Sequence, residues 1–330
     1  MNWKSRKVLV TGSGGFIGSH LTEELVALGA DVRAMVHYNS GNHWGNLELL
    51  PKETRDALDI TAGDVRDPFF VRRAVKGCDT VFHLAALIAI PYSYMAPRDF
   101  VDTNVNGTLN VMQACRDENV SKVVHTSTSE VYGTAKYVPI DENHPLQGQS
   151  PYSASKIGAD MVAESFYNSF DLPVATLRPF NTFGPRQSAR AVIPAIITQM
   201  VAGKKEISLG SLDPVRDFTY VKDTVRAFIK VAESQKTVGT VVNSGTGQGR
   251  AIGEVVELAK RLTGSKAAIV KEKERVRPGK SEVMRLVCGN KKIAELAGWK
   301  PEYTFEKGVA ETVEHIKANL ARYKPDIYNI

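Results

Sequence analysis

The chain has 330 residues, 43% of them hydrophobic and 24% charged, and 42 Lys+Arg against 36 Asp+Glu give a formal net charge of +6. That length suits one large domain with a smaller second lobe, and the apolar run at 81–90 is too short to span a bilayer and contains His83, so no membrane partner is expected. The positive surplus is scattered, broken even at 271–277 by Glu272 and Glu274, and a diphosphate-bearing substrate accounts for it as well as nucleic acid would, so no nucleic-acid partner is read from it.

Residues 1–7 run straight into a strand-like stretch, which leaves no room for a signal peptide and sets the expectation of a cytoplasmic protein. Lys7–Thr11 (KVLVT) is a continuous apolar run with β-branched residues, the pattern of a buried parallel strand. Residues 19–28 carry helical periodicity and end at Gly29, a C-terminal capping signal. Strands are expected at 31–36, 80–84, 122–126 and 174–178, separated by helices such as 101–118 and 153–170. This alternation predicts an α/β fold, a Rossmann-type doubly wound parallel sheet with helices on both faces.

After Pro179 the rhythm breaks at Gly184, Pro185 and Pro194. A helix at 195–202 and a short strand at 207–209 follow, then one more strand of the main sheet at 240–243 and helices at 253–262 and 291–297. The expected division is a Rossmann domain at 1–180 plus about 213–246, and a smaller, discontinuous α/β lobe for the substrate at 181–212 and 247–330. Cys78, Cys115 and Cys288 lie far apart without metal-ligand or redox spacing and read as small buried thiols, so no metal is expected.

The segment Thr11-Gly12-Ser13-Gly14-Gly15-Phe16-Ile17-Gly18 joins the first strand to the first helix. Gly12 permits the sharp turn, Gly15 lets the backbone approach a pyrophosphate, and Gly18 lets helix and strand pack closely. The helix N-terminus then offers N–H groups and a positive dipole end to the phosphates. An acid at the end of the second strand would grip the ribose of NAD, and an arginine the extra phosphate of NADP. This corner reads His37-Tyr38-Asn39-Ser40, where Asn39 and Ser40 can bond either form; with no fixed positive charge there, the expectation is NAD, with NADP not excluded.

The two residues between Gly12 and Gly15 give the spacing of the short-chain dehydrogenase/reductase family, and TGSGGFIGSHL resembles its extended branch. The resemblance implies that Phe16 and Ile17 line the dinucleotide, that Asp64 and Val65 (in GDVRD) meet the adenine, and that Ala85 and Ala86 supply small residues beside the cofactor. It also implies tight retention of the cofactor, because a hydride is borrowed and returned within one turnover. His83 reads as a packed residue at a strand end rather than a catalyst.

Tyr152-Ser153-Ala154-Ser155-Lys156 opens a helix after Pro151 and puts Tyr152 and Lys156 on one face. A phenol with a free pKa of about 10 is a poor base at neutral pH. A nearby ammonium and a positive nicotinamide would favour the phenolate, which then takes a hydroxyl proton. Upstream, His125-Thr126-Ser127-Thr128-Ser129-Glu130 ends a central strand, at the edge where such sheets bind ligands.

Thr128 occupies the family's position for the hydroxyl that bonds the oxidised sugar oxygen. In the plain epimerases of the family the third residue of Thr128-Ser129-Glu130 is usually small and non-acidic. In the 4,6-dehydratases it is glutamate, preceded by aspartate in the dTDP-glucose enzymes and by serine in the GDP-mannose enzymes, and the chain resembles the latter. A carboxylate suits dehydration: a C4 ketone acidifies the C5 proton, which Glu130 removes as the C6 hydroxyl leaves.

Leu177-Arg178-Pro179-Phe180-Asn181 with Gly184-Pro185-Arg186 resembles the family's crossing into the substrate lobe. The resemblance implies that Asn181, Arg186, Arg216 (in RDFTYVKD) and Arg277 meet the diphosphate sugar, and that Glu282 meets its ribose. Guanidinium forks suit phosphate oxygens. The stretches at 37–50 and 85–94 resemble the branch that makes 4-keto-6-deoxy sugars from nucleotide-linked N-acetylglucosamine, with Trp44, Tyr92 and Ser93 as candidates for shaping the sugar pocket.

The function expected is therefore a nucleotide-sugar 4,6-dehydratase acting on a UDP- or GDP-linked hexose, as a homodimer that pairs the helices at 101–118 and 153–170. A 4- or 5-epimerase is the first rival, and a non-catalytic NAD(P)-binding sensor or scaffold the second. Intact Thr128, Tyr152 and Lys156 argue against the latter.

Overall fold

The computed structural model describes residues 2–272, 275 and 283–327. Seven parallel strands form the main sheet: β1 (Lys7–Thr11), β2 (Asp31–His37), β3 (Asp59–Gly63), β4 (Thr80–His83), β5 (Lys122–Thr126), β6 (Val174–Pro179) and β10 (Val241–Ser244). Their order is β10-β6-β5-β4-β1-β2-β3, so the winding reverses between β1 and β4. In open α/β sheets the crevice at that reversal, beyond the carboxyl ends of the strands, is where ligands bind.

The helices are α1 (Phe16–Ala27), α2 (Lys52–Asp56), α3 (Pro68–Val75), α4 (Ile90–Met95), α5 (Pro97–Phe100), α6 (Gly107–Asp117), α7 (Pro151–Phe170), α8 (Val192–Val201), α9 (Val221–Glu233), α10 (Ile252–Thr263), α11 (Lys291–Ala297) and α12 (Phe305–Ala318). Alternation along each strand sends side chains to opposite faces of the sheet. Val8, Val10, Phe82 and Val124 pack with Val225, Phe228 and Ile229 of α9 on one face. Leu9, Val81 and Val123 pack with Val71 of α3, Val111 of α6 and Ala163 of α7 on the other.

The strands read from the sequence are present, because buried parallel strands carry runs dominated by apolar residues. Four helices begin earlier than their periodicity suggested, among them α8 at Val192 instead of 195 and α10 at Ile252 instead of 253. α1 starts at Phe16 instead of 19, with Gly15 as an N-cap that supplies no side-chain cap. α7 starts at Pro151, capped by Ser150 in a reciprocal capping box with Ser153.

A second, four-stranded sheet centres on β9 (Val215–Tyr220), which pairs with β7 (Asn181–Phe183), β11 (Gly249–Ala251) and β13 (Arg285–Leu286). Residues 215–220, grouped with the first domain on sequence, thus lie in the second sheet, and the chain returns to the main sheet through α9 and β10. A parallel pair, β8 (Glu206–Leu209) with β12 (Ala268–Lys271), completes the strands described. No helix among the described residues is long and apolar enough to cross a membrane.

Candidate active site

A cleft of about 1080 Å³ opens at the carboxyl edge of the main sheet. The glycine segment forms one wall, with Gly12, Gly14, Gly15, Phe16, Ile17 and Gly18 all lining it. Gly12 turns at φ +73°, and a Cβ on it would meet the backbone of Ala85 at 2.9 Å. A Cβ on Gly18 would meet Gly12 O at 2.2 Å, so α1 can pack this close to the turn only without a side chain there. No side chain caps α1, whose first-turn residues line the cleft. Such a terminus suits a pyrophosphate.

Ala85 and Ala86 line the same cleft. Thr11 Oγ1 accepts from the amides of Leu84 and Ala85, both at 3.1 Å, and lies 2.9 Å from His83 Nδ1. Burial pushes His83 well below its usual pKa, and because Thr11 Oγ1 already accepts from two amides, its hydroxyl donates a hydrogen bond to Nδ1 of the neutral imidazole. His83 is thereby a structural residue, as its strand-end position suggested.

At the corner after β2 and β3, which the sequence reading assigned to the adenosine end, Asn39 and Asp64 are bonded to neighbouring protein groups. Asn39 lines the cleft, but its amide donates to His43 O at 2.8 Å and its oxygen accepts from His43 N at 3.0 Å, which shapes its own loop. Ser40 is exposed and outside the cleft lining. Asp64 also lies outside that lining. Its Oδ1 accepts from Arg66 N at 2.9 Å and its Oδ2 from Arg66 Nη2 at 2.6 Å, and these bonds hold its carboxyl low against the opposing effect of burial. Val65 is buried against Gly107. His37, His43 and Trp44 line this end of the cleft, and Trp44 stands beside the glycine loop.

Thr128, Ser129, Glu130, Tyr152 and Lys156 all line the cleft. Thr128 caps the short 3-10 helix Ser129–Tyr132, accepting from Glu130 N at 3.2 Å, and so carries the Glu130 carboxylate to the floor of the site. Tyr152 is 7% exposed, hydrogen-bonded by Thr128 and packed edge-on against Phe100. Lys156 Nζ donates to Thr126 O at 2.7 Å.

Burial dominates the electrostatics of Tyr152 and Lys156. Burial pushes the Tyr152 phenol above its ordinary range, and the Glu130 and Asp160 charges add to this while Thr128 opposes it. Lys156 is itself pushed down to about 8 by burial, with Asp160 opposing. Among these groups, burial and the Glu130 and Asp160 charges favour the phenol of Tyr152, and a positive charge beside it favours the phenolate.

Beneath the floor lies a buried polar network that sequence reading missed. Asp160, two turns along α7 from Tyr152, accepts from Ser127 Oγ at 2.6 Å, from Arg178 Nη2 at 2.9 Å and Nε at 3.2 Å, and pairs with His125 Nε2 at 3.1 Å. Arg178 Nη1 donates to Tyr132 Oη, which donates to Asn243 Oδ1. This network ties α7 to β5, β6 and β10. The signal in sequence was an acid four residues after Lys156 on the same face.

On the substrate side, Asn181 lines the cleft, and its Oδ1 is buried without a hydrogen-bond partner among the described residues. Arg216 also lines it, 6% exposed. Arg186 lines it too, but Nη2 is bound to Glu23 Oε2 at 2.6 Å. Arg277 and Glu282 lie outside the described residues. Arg190, Arg275 and Tyr94 line the cleft without having been singled out on sequence. Tyr92 packs on Phe100, and Ser93 is buried with its hydroxyl on Ile90 O, so neither belongs to the cleft lining. Among the described residues, no group of three or more His, Cys, Asp or Glu could hold a metal ion.

Known proteins similar to this chain include both nucleotide-sugar 4,6-dehydratases and 4-epimerases. A family model described as GDP-mannose 4,6 dehydratase matches residues 9–312. A putative UDP-glucose 4-epimerase of Methanocaldococcus jannaschii is 32% identical over 94% of this chain and 99% of its own. The dTDP-D-glucose 4,6-dehydratase of Mus musculus is 32% identical over 97% of this chain and 91% of its own. Among solved structures, the dTDP-glucose 4,6-dehydratase of Streptomyces venezuelae with NAD bound superposes at a TM-score of 0.87, with 30% identity over 97% of this chain and 99% of that one. The UDP-glucose 4-epimerase of Thermotoga maritima with UDP-glucose superposes at 0.86, with 29% identity over 95% and 99%.

Proposed function

Given that the chain belongs to the GDP-mannose 4,6-dehydratase family, within the extended short-chain dehydrogenases that handle nucleotide sugars, we propose that it is an NAD-dependent nucleotide-sugar 4,6-dehydratase. Its substrate in this reading is a UDP- or GDP-linked N-acetylglucosamine-type hexose. The observation that carries the reading is Glu130, a carboxylate lining the same cleft as Tyr152, Lys156 and Thr128.

The residues that would hold the dinucleotide are Gly12, Gly15 and Gly18 with the open N-terminus of α1, and Ala85 and Ala86 leave room beside it. When bound, NAD supplies the redox chemistry, taking hydride from C4 and giving it back at C6. Tyr152 takes the C4 hydroxyl proton while Thr128 holds that oxygen. Lys156, fixed by Thr126 O, keeps a cation near the phenol. Glu130 then takes the C5 proton. The C6 hydroxyl departs as water with the proton Glu130 has gained, and C5 is reprotonated from solvent. Asn181 and Arg216 orient the diphosphate.

A 4- or 5-epimerase is the second reading, favoured by epimerases among relatives of comparable identity. Incubating the protein with UDP- and GDP-linked N-acetylglucosamine and glucose tests both, because dehydration removes the mass of one water and epimerisation removes none. Loss of water from one N-acetylglucosamine nucleotide supports the proposal; unchanged mass throughout, with conversion of a substrate, supports the epimerase.

Two expectations follow from this function. Protein purified without added dinucleotide carries NAD, recoverable by denaturation and anion exchange; folded protein that yields none contradicts tight retention. The second concerns assembly. Val101, Leu109 and Met161 expose apolar surface along α6, α7 and the turn before α6, at 47%, 43% and 46% exposure. We expect these helices to pair across a two-fold in a homodimer. Light scattering at micromolar concentration should give twice the chain mass, and a monomer mass would contradict it.

A further inference from the structure

Arg186 was expected at the substrate, yet its side chain runs the other way. Its guanidinium, on a side chain only 10% exposed, pairs with Glu23 of α1, a partner 163 residues earlier in the chain whose own side chain is 33% exposed. The residue before it, Pro185, accepts through its carbonyl from His20 Nε2 at 2.9 Å, again from α1. The Arg186 carbonyl accepts from Asn46 Nδ2 at 3.1 Å. Asn46 in turn donates through its backbone N–H to Gly14 O of the glycine loop at 2.9 Å. These bonds close a ring: glycine loop, Asn46, the turn at 184–187, α1, and back to the glycine loop.

The backbone of Arg186 sits at φ +69°, a conformation uncommon for a side-chain-bearing residue. Such a residue persists when its surroundings over-determine it, and here both the carbonyl and the guanidinium are held. Gly14, Ile17, Asn46 and Arg186 line one and the same cleft, so the ring borders the space that the glycine loop offers to a pyrophosphate.

We propose that Arg186 is a positioning residue for the dinucleotide and not a substrate ligand: through Glu23 it straps the turn at 184–187 onto α1 and slows cofactor release. The inference rests on the dinucleotide reading of the glycine loop and is independent of the choice between dehydratase and epimerase. It also gives tight retention a physical cause, since a hydride borrowed and returned in one turnover requires a cofactor that stays.

The test loads wild type, Glu23→Gln, Arg186→Met and the double variant with NADH, then chases with excess NAD and follows the loss of bound NADH fluorescence. Each single variant should release NADH about 10- to 100-fold faster, the scale of one lost charge-assisted hydrogen bond. The double variant should be no faster than the faster single, because both changes break the same bond. Affinity for UDP and GDP, measured by calorimetry on the NAD-loaded proteins, should stay at the wild-type value. Wild-type release rates in Glu23→Gln overturn the strap, as does a fall in UDP or GDP affinity in Arg186→Met with release unchanged. Glu23→Gln leaves the backbone of the turn untouched, so it decides the matter even if Arg186→Met does not fold. Wild type that binds no NADH at all would overturn the dinucleotide reading itself, a separate outcome.

Discussion

Glu130→Gln should accumulate reduced cofactor when mixed with the right nucleotide sugar, and Tyr152→Phe should not. The two variants divide the proposed mechanism at its midpoint. Tyr152→Phe removes the phenol that Thr128 hydrogen-bonds in the cleft, so C4 oxidation and every later step stop. Glu130→Gln keeps the shape of the side chain and leaves Tyr152, Thr128 and Lys156 in place. Oxidation at C4 then proceeds while removal of the C5 proton fails. Loss of a positioned general base costs about 100- to 10,000-fold in rate. The reduced nicotinamide should therefore build up within one turnover, visible by its absorbance. Dehydration by Glu130→Gln at close to the wild-type rate would make Glu130 a structural carboxylate and move the epimerase reading ahead.

Asp160→Ala should be among the most destabilising single substitutions in the protein. Asp160 and Arg178 are 2% and 4% exposed and lie 2.9 Å apart. Burial works against ionising Asp160, but the His125 hydrogen bond and the Arg178 charge hold its carboxyl below the usual range. Removing it leaves a buried guanidinium without its counter-charge and strips acceptors from Ser127 and His125. Breaking a buried pair from one side costs about 3–5 kcal/mol. Denaturant unfolding should show a loss of that size, and adding Arg178→Met to Asp160→Ala should recover part of it, since neither charge is then stranded. A loss below about 1 kcal/mol, the scale of an exposed pair, would mean that solvent reaches the network.

What the sequence revealed follows from where each signal lies. β1, β4, β5 and β6 are buried on both faces and so appear as short runs dominated by apolar residues, with buried polar residues such as His125 and Arg178 among them. β3 (DITAG) is a half-exposed edge strand containing Asp59 and Gly63, and carries no such run. β9 was hidden for a different reason: Arg216 and Asp217 are buried within it, so its pattern looks like a polar binding segment. Asp217 is satisfied there by the amides of Thr246, Gly247 and Cys288, contacts that no local pattern can announce.

The site divides the same way. Tyr152, Lys156 and the Thr128 cluster were legible because each belongs to a short motif on one element. Where their polar atoms point was not. Lys156 reaches Thr126 O from 30 residues away, and Arg186 turns to Glu23, because those choices depend on how distant elements pack.

The most direct measurement of the central claim is the conversion of UDP- and GDP-linked N-acetylglucosamine in deuterium oxide, followed by mass spectrometry of the nucleotide sugar. The account predicts a product that has lost one water and gained one carbon-bound deuterium, at C5, with no net consumption of NAD. A product of unchanged mass would contradict it in favour of a 4-epimerase, and one that gains deuterium without losing water would contradict it in favour of a 5-epimerase.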